Sequence, residues 1–568
     1  MNTYKNPVSA ITKILIVISI ILAVNYIALQ FYFRIDLTSD NRYTLTDQTK
    51  QLIETLDEDV NIKIYLSGDL NPGFKNLSES TRQMLTDLSQ LSGRKVTFRF
   101  IDPNKGSSTE KTELYAQFKE KNIEPVPVFE TSEDGRNTRS LVFPYAIVNY
   151  KNKDITVNLL DNIRGYSGTE NLNTSIETLE FKFMDALRQL TITQKPKIAF
   201  IEGHGELDEL DVMDLTSSLN NYYQVDRGQA GLDPSLLDPY KVLIIAKPQT
   251  PFSETDKYII DQYVMKGGRI LWMIDAVNVT LDSLTRSDQT IGFYNDLNIN
   301  DLLFKYGFRV NPVLIEDIQA AMIPINVSPM GKAPKFVPAP WLFNPLLTPN
   351  NQSPISRNIN VVKGEFVSYI DTVGENTGLK RTTLLSTSQF TKINLTPIPI
   401  SLSMVNDKPK REEFNKKFLP VAIAAEGEFQ SNFTNRMKPM GIIDTRDIPL
   451  SKSIKTRQVV IADGDIACNT VRFKQSRPQI IPLGFDEVSN QTYGNKQFIV
   501  NTIQYLANDE GWLELRSKSR VLRLLDKEKI SSGTTLLKIL NLLLPLLLII
   551  IPGILFLIRR KARYGKRY

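Results

Sequence analysis

The feature that most constrains this chain is an uncharged run of twenty residues near its carboxyl end. The run reads ILNLLLPLLLIIIPGILFLI over Ile539–Ile558, and six basic residues follow it: Arg559, Arg560, Lys561, Arg563, Lys566 and Arg567. At about 1.5 Å per residue, twenty helical residues cross the roughly 30 Å hydrocarbon core of a bilayer. We therefore predict a transmembrane helix whose basic tail stays cytoplasmic, because Lys and Arg beside a membrane segment favour that side.

A second uncharged run of twenty residues lies near the amino end, over Ile14–Phe33, between Lys13 and Arg34. Its length also suits a membrane anchor. A cleaved signal peptide is the alternative, although such a peptide has a shorter apolar region that ends in an A-x-A-like site. With both ends cytoplasmic, we predict a two-pass protein of the inner membrane whose main domain is periplasmic.

Charge and cysteine content exclude two other kinds of protein. The net charge is +6, but the basic tail and two N-terminal lysines supply more than that, so the remaining chain is slightly negative. This distribution argues against a nucleic-acid-binding surface. Cys468 is the only cysteine, so an intrachain disulfide framework is excluded. The external domain is expected to depend on burial of apolar side chains.

Composition and hydrophobic pattern divide the chain into seven predicted segments. They are a cytoplasmic N-terminus (1–13), a transmembrane helix (14–33), a first periplasmic domain (34–193), a second α/β domain (194–516), a connector (517–538), a second transmembrane helix (539–558) and a basic cytoplasmic tail (559–568). The stretch between the two anchors is long enough to bury more than one core.

The first domain alternates strands and helices in the order βαβαββα, which is that of a thioredoxin-like layer. The predicted elements are strand Val60–Leu66, helix Leu77–Leu91, strand Lys95–Ile101, helix Thr109–Lys121, strands Ser140–Tyr150 and Asp154–Leu159, and helix Asn173–Leu190. A redox pair would follow the first strand of such a fold, but Ser67–Gly73 contains no cysteine. Without thiols there is no disulfide exchange, so this domain is predicted to be a scaffold or a binder.

The second domain is predicted to contain a parallel sheet with helices on its faces. Four short apolar runs indicate buried strands: KIAFI (Lys197–Ile201), KVLIIA (Lys241–Ala246), RILWMI (Arg269–Ile274) and QVVIA (Gln458–Ala462). Helices are predicted over Glu209–Asn221, Glu254–Lys266 and Lys496–Ala507.

A proline-rich segment interrupts this domain. It contains nine prolines between Pro312 and Pro354, which predicts a long irregular excursion. Phe336, Trp341 and Phe343 lie within it and are expected to be exposed. Two interpretations remain open, a loop packed on its own domain or a docking surface for another protein.

Two common hydrolytic motifs are incomplete in this sequence. Gly68 and Gly73 have the spacing of a P-loop, but Phe74 stands where a lysine must reach the phosphates. The segment Gly165–Thr169 (GYSGT) departs from Gly-x-Ser-x-Gly at its last position. We therefore expect neither ATP hydrolysis through a P-loop nor a serine hydrolase of this kind.

The single histidine lies in the most concentrated polar stretch of the chain, EGHGELDELD from Glu202, directly after a buried strand. Ligands of open α/β sheets bind beyond the carboxyl ends of strands. Two other strands also end before aspartates, so a candidate site comprises Glu202, His204, Glu206, Asp275, Asp463 and Asp465. Such a group would bind a divalent cation or a polar ligand. The alternative is ordinary helix-end and turn chemistry, and Cys468 is expected to be a packed thiol.

Six stretches, in their order, resemble the gliding-motility-associated ABC transporter auxiliary proteins of the GldG type, also called substrate-binding proteins. They are RIDLT (Arg34–Thr38), RYTLT (Arg42–Thr46), KIAFIEGHGE (Lys197–Glu206), GGRIL (Gly267–Leu271), FLPVAIAAEGEF (Phe418–Phe429) and VVIADGD (Val459–Asp465). The resemblance covers nearly the whole chain, including both anchors. It implies an envelope component that works with a separate ATPase and a separate permease in bacteria that glide on surfaces.

The resemblance also implies a second domain similar to one in an intraflagellar transport subunit and to glutamine-amidotransferase-like folds. Those amidotransferases need a nucleophilic cysteine at a strand-to-helix turn, where this chain has Glu202–Glu206. We therefore expect a non-enzymatic auxiliary subunit without a cofactor, whose partners are the permease, the ATPase, the bilayer and other copies of itself. Two alternatives are a membrane-tethered hydrolase and a solute receptor, each using the acidic crevice around His204.

Overall fold

The computed structural model describes residues 16–23, 45–131, 137–287, 289–328, 332–374, 378–444, 446, 448–507, 512, 515 and 527–564. The chain divides into two units, Met1–Ser519 and Arg520–Tyr568. The first unit holds two main β-sheets with helices, so it is a mixed α/β structure.

A four-stranded sheet forms the N-terminal part of the first unit. The helices here are α1 (Asp47–Glu54), α2 (Pro72–Leu91), α3 (Ser108–Glu120) and α4 (Gly168–Thr191), and the strands are β1 (Val60–Ile64), β2 (Val96–Phe100), β3 (Val126–Thr131), β4 (Asn137–Val142), β5 (Tyr145–Tyr150) and β6 (Lys153–Asn158). The sheet order is β2-β1-β5-β6, in which β1 and β2 are parallel and the other neighbours are antiparallel. The alternation follows the sequence prediction, except that the predicted strand Ser140–Tyr150 is divided between β4 and β5. Strand β4 pairs with β3 in a separate hairpin.

Side-chain caps explain where these helices begin. The Thr46 side chain accepts a hydrogen bond from the backbone N–H of Thr49 at the start of α1. Ser107 and Ser167 form capping boxes at the starts of α3 and α4. The caps satisfy backbone N–H groups that have no partner inside the helix.

The C-terminal part of the first unit is larger. Its helices are α5 (Met213–Leu219), α6 (Glu254–Met265), α7 (Leu281–Ser287), α8 (Asn300–Lys305) and α9 (Asn495–Ala507). Its strands are β7 (Lys197–Ile201), β8 (Gln224–Gly228), β9 (Tyr240–Ala246), β10 (Arg269–Met273), β11 (Val277–Asn278), β12 (Gln289–Tyr294), β13 (Phe308–Val310), β14 (Val313–Asp317), β15 (Ala320–Asn326), β16 (Phe336–Pro349), β17 (Val362–Lys363), β18 (Ile370–Thr372), β19 (Lys380–Ser386), β20 (Thr391–Leu395), β21 (Ile398–Ser401), β22 (Pro420–Gly427), β23 (Thr456–Ile461), β24 (Val471–Lys474), β25 (Arg477–Ile480), β26 (Phe485–Asp486) and β27 (Gln491–Thr492).

The central sheet of this part has the order β15-β16-β19-β22-β23-β10-β9-β7-β8, with β17 paired to β16. The strands from β23 to β8 are parallel, as predicted. On the other side of β23, the neighbouring strands β23-β22, β22-β19 and β19-β16 are antiparallel. The prediction of a parallel sheet is therefore right only for the five strands β23, β10, β9, β7 and β8. Parallel neighbours need a crossover, usually a helix, and the described residues between β22 and β23 contain no α-helix.

Both faces of the parallel half are buried. Ile198 and Phe200 of β7 contribute to one apolar cluster, whereas Ala199 and Ile201 contribute to the cluster on the opposite face. Successive side chains of a strand point to opposite faces, so a strand covered on both sides is continuously apolar. This explains why the KIAFI run predicts a strand correctly without an alternating pattern.

The irregular excursion predicted between Pro312 and Pro354 is wrong. Strands β14, β15 and β16 occupy much of it, and β15 pairs with β16 in antiparallel register, for example Ile323 opposite Ala339. Trp341 and Phe343 are 1% and 2% exposed, so their expected exposure is also wrong. These two side chains share one face of β16 and pack in a core cluster, whereas Phe336 is 62% exposed.

Helix α10 (Lys527–Tyr564) forms the second unit. Its segment Lys538–Arg563 is long and apolar enough to cross a membrane, with a mean hydropathy of 2.7. Pro545 and Pro552 lie inside the helix. Of the predicted N-terminal anchor, residues 16–23 are helical, and the rest of Ile14–Phe33 lies outside the described residues. One of the two predicted spans is therefore supported.

Candidate functional site

The candidate site begins where β7 ends, in the turn Glu202–Glu206. Gly203 and Gly205 have φ angles of 121° and 74°, a region that strongly favours glycine. The carbonyl of His204 accepts hydrogen bonds from the backbone N–H groups of Gln249 and Thr250, at 2.7 and 2.9 Å. The turn after β7 is thereby tied to the segment after β9.

The His204 side chain is held between two carboxylates. Its Nδ1 lies 3.0 Å from Glu206 Oε1, and its Nε2 lies 3.4 Å from Asp256 Oδ2. The ring also stacks on Phe252, with centroids 3.6 Å apart. Burial alone disfavours the charged imidazolium, but the hydrogen bonds and charges of Asp256 and Glu206 outweigh it and raise the pKa of His204 to about 9. The imidazole is therefore a buried cation at neutral pH.

Glu202 has a different partner. Its Oε1 accepts a hydrogen bond of 2.7 Å from Arg227 Nε, and Arg227 Nη2 donates to the carbonyl of Leu207 at 2.6 Å. This ion pair braces the same turn against strand β8. Glu202, His204 and Glu206 thus make their polar contacts away from the three aspartates of the predicted site.

Asp275, Asp463 and Asp465 do come together. One carboxylate oxygen from each lies within 4.8 Å of the other two. Asp275 follows β10 and Asp463 follows β23, and these strands are parallel neighbours with Met273 opposite Ile461. Carboxyl ends of parallel neighbours meet at one sheet edge, which brings these three aspartates together. Their use as a ligand site stays a prediction.

Lys247, which the sequence pattern does not single out, adds a cation to this group. Lys247 follows β9, the next strand of the sheet, and its Nζ contacts Asp465 Oδ1 and lies 3.5 Å from Asp275 Oδ2. Burial by itself lowers the pKa of Lys247, but the charges of Asp275 and Asp465 outweigh it and keep the pKa above its ordinary value. A lysine directly after a buried strand was the available signal.

Backbone groups complete the cluster. The N–H of Gly464 donates to Asp275 Oδ1 at 2.5 Å, and the N–H of Glu365 donates to Asp463 Oδ2 at 3.1 Å. Burial and the charge of Asp465 raise the pKa of Asp275 to about 7 and that of Glu365 to about 8. Burial also raises the pKa of Asp463 well above its ordinary value.

The arrangement of these charges bears on metal binding. Closely spaced carboxylate oxygens suit a divalent cation, but the ammonium of Lys247 already supplies positive charge among them. We call Lys247, Asp275, Asp463 and Asp465 the carboxylate–lysine cluster. Burial raises the pKa of the neighbouring Cys468 thiol. The thiol is therefore protonated and unreactive, as expected of a packed cysteine.

Comparison with known proteins now places the chain in a family. A family model described as ABC-type uncharacterized transport system, for its auxiliary component, matches residues 195–502. That match covers more than half of the chain. The chain belongs to this auxiliary family. The predicted resemblance to auxiliary proteins of the GldG type is confirmed, and membership supports an accessory role in an ABC transport system.

Other comparisons add less about the auxiliary protein. A model described as a domain of unknown function matches residues 39–149. A solved structure titled "mmIFT52 N-terminal domain" is 14% identical, covers 55% of this chain and 98% of its own, and has a TM-score of 0.30. No curated protein matches the chain. The family also implies association with other transporter components, and with α10 it fits a membrane-associated protein.

Proposed function

We propose that this auxiliary protein is a non-enzymatic, membrane-anchored subunit of an ABC transporter complex associated with gliding motility. It works with a separate ATPase and a separate permease. Family membership is the observation that carries the proposal. Phe74, at the P-loop lysine position, supports a division of labour in which another chain hydrolyses ATP.

The proposed topology has two spans and a periplasmic bulk. Segments 14–33 and 539–558 are the spans, the domains 34–193 and 194–516 are periplasmic, residues 517–538 connect to the second span, and 1–13 and 559–568 are cytoplasmic. The apolar segment of α10 supports the second span. Arg559, Arg560, Lys561 and Arg563 follow its apolar residues and favour a cytoplasmic C-terminus.

Within this topology the domains 34–193 and 194–516 act as binding scaffolds. The strand order β2-β1-β5-β6 supports a thioredoxin-like first domain, and Ser67–Gly73 supports a domain without redox activity. The five parallel strands of the second sheet are compatible with an amidotransferase-like ancestry. Phe336 is the exposed aromatic residue through which the hairpin of β15 and β16 would contact a partner.

The electrostatic state of the candidate site supports a non-enzymatic role. A general base must be unprotonated near its working pH, whereas the pKa of His204 is raised to about 9. Both ring nitrogens already face carboxylates. In the carboxylate–lysine cluster, Lys247 contacts Asp465 and lies 3.5 Å from Asp275, so its ammonium offsets carboxylate charge at the sheet edge.

Copurification tests the proposal. An affinity-tagged full-length chain is extracted from its native membranes in mild detergent, and bound proteins are identified by peptide mass spectrometry, with untagged membranes as the control. We expect an ATPase with a P-loop and a multi-span membrane protein in near-stoichiometric amounts. Recovery of the tagged chain by itself would contradict the proposal.

The competing hydrolase hypothesis, with Glu202, His204, Asp275 and Asp463 as catalytic groups, has a separate test. The variant His204→Gln preserves hydrogen-bonding capacity but removes the charge. If the auxiliary role is correct, the folded variant retains motility and copurifies with its partners. Loss of motility with full assembly would favour the hydrolase.

A further inference from the structure

A cleft of about 610 Å³ lies between the two sheets of the first unit. One wall comes from the end of β6, the following loop and α4, and the other comes from the end of α5, the loop at 358–360 and α9. Asn360 joins the walls, because its Oδ1 accepts from the N–H of Arg164 at 3.2 Å and its Nδ2 donates to the carbonyl of Thr492 at 2.9 Å. The cleft is therefore a fixed feature of this unit.

Side-chain amides dominate the polar lining. They are Asn158, Asn162, Asn221, Asn358, Asn360, Gln497, Asn501 and Gln504. Each amide offers both hydrogen-bond donors and acceptors without a charge. We call this space the amide cleft. It does not include His204 or the carboxylate–lysine cluster.

Gln504 contributes a buried hydrogen-bond acceptor to the amide cleft. Its side chain is 2% exposed, and its Oε1 has no hydrogen-bond partner among the described residues. A buried polar atom without a partner is unfavourable, because it has lost its hydrogen bonds to water. On the preceding turn of α9, Asn501 is 3% exposed and donates from Nδ2 to the carbonyl of Ile355 at 2.9 Å. The unmade hydrogen bond of Gln504 is explained if a ligand donates to it.

Two of the three charged groups in the lining are already ion-paired. Asp161 Oδ1 lies 3.0 Å from Lys182 Nζ, and Lys496 Nζ lies 2.8 Å from Asp214 Oδ2. Asp185 accepts a hydrogen bond of 2.7 Å from the Tyr222 hydroxyl. The lining thus favours a neutral ligand over an ionic one. Phe181, Tyr222 and Tyr493 also line the cleft but offer only a small apolar ring surface, because Tyr222 and Tyr493 are 6% and 4% exposed.

We propose that the amide cleft binds a neutral, hydroxyl-rich ligand of the oligosaccharide class. Sugar hydroxyls both donate and accept, as amides do, and sugar C–H faces pack on aromatic rings. The volume lies within the roughly 300–1,000 Å³ of small-molecule sites, which commonly occur where domains meet. This inference is independent of the transport partners, so it stands or fails separately from the proposed function.

Calorimetric titration of the full-length chain in detergent tests it, with maltotriose and N,N′,N″-triacetylchitotriose as probes. Trialanine and inositol hexaphosphate represent a peptide and an anion. We expect at least one trisaccharide to bind, and the variant Gln497→Ala, at an exposed lining position, to weaken it at least tenfold. The matched control Gln479→Ala, exposed and outside the lining, should leave binding unchanged. Binding of neither trisaccharide, or binding of trialanine or the anion instead, would overturn the proposal.

A second variant, Gln504→Leu, separates ligand binding from structure. It replaces the amide by an apolar side chain of similar size. Because the Oε1 has no partner, the melting temperature should stay the same or rise, while trisaccharide affinity falls at least tenfold. A lower melting temperature with unchanged affinity would show a purely structural amide and would refute the assignment.

Discussion

The imidazole ring of His204 lies nearly parallel to the phenyl ring of Phe252, with 13° between their planes and 3.6 Å between their centroids. Phe252 immediately precedes Ser253, which caps α6 with its side chain. His204 also contacts Asp256 in the first turn of α6. The only histidine of the chain therefore joins the turn after β7 to the start of α6.

The charge of His204 predicts a pH dependence of stability. Its pKa rises from 6.5 to about 9 on folding, so its contribution is complete below about pH 6.5 and is lost as the pH passes through about 9. Relative to the wild type, His204→Gln should lose about 2 kcal/mol at pH 6 and much less at pH 10. Thermal unfolding of both proteins from pH 6 to 10 measures the difference. A difference that does not change with pH would contradict a charged His204.

Removing the cation of the carboxylate–lysine cluster should be strongly destabilising. Lys247→Met leaves Asp275 and Asp465 without their ammonium partner, and breaking a buried ion pair costs about 3–5 kcal/mol. The double variant Lys247→Met, Asp465→Asn should recover part of that loss. Denaturant unfolding of the two variants and the wild type measures their free energies of unfolding, which should fall in the order wild type, double variant, single variant. Equal stability of the single variant and the wild type would remove the structural role of Lys247.

The same cluster predicts little dependence on divalent cations. Lys247 already provides positive charge among the three aspartates, so EDTA or calcium should leave the wild-type melting temperature unchanged within error. In Lys247→Met the oxygens are free to bind a cation, and millimolar calcium should raise the melting temperature of that variant. A calcium-dependent rise in the wild type would instead identify a metal site.

Gly464 is a position where a single methyl group should disrupt the cluster. A Cβ there would lie 2.6 Å from Lys247 Cγ and 3.1 Å from Asp275 Oδ1. Gly464→Ala should therefore cost about 1–3 kcal/mol through overpacking. At Gly168 a Cβ has no neighbour within 4 Å, so Gly168→Ala is the matched control and should change stability by less than about 1 kcal/mol. Similar losses in both variants would mean that the close approach at Gly464 is not real.

Much of the second sheet is predictable from sequence because its central strands are buried on both faces. KIAFI, KVLIIA and RILWMI are short apolar runs whose bounds correspond closely to β7, β9 and β10. The proline-rich segment is not predictable in this way. Pro324 and Pro338 lie opposite each other in the hairpin of β15 and β16, so tertiary pairing accommodates residues that sequence rules assign to irregular structure.

The candidate site, like the second sheet, is predictable from the sequence only in part. Asp275 and Asp463 follow apolar runs of neighbouring strands, so their convergence can be predicted from the pattern. Lys247 and Asp465 are 218 positions apart in sequence, and no local pattern joins them. Asp256 likewise engages His204 from 52 positions away, whereas Glu206 lies in the same turn as His204. Sequence therefore predicts which strand ends carry charge, but not which charges neutralise each other.

The most direct test of the central claim is the native mass of the complex that contains this chain. The full-length protein, of 64.5 kDa, is extracted from its own membranes and examined by native mass spectrometry with collision-induced release of subunits. The account predicts a larger assembly that releases this chain together with an ATPase and a multi-span permease. A species at 64.5 kDa, or a multiple of that mass with no other protein, would contradict an auxiliary role in an ABC transporter.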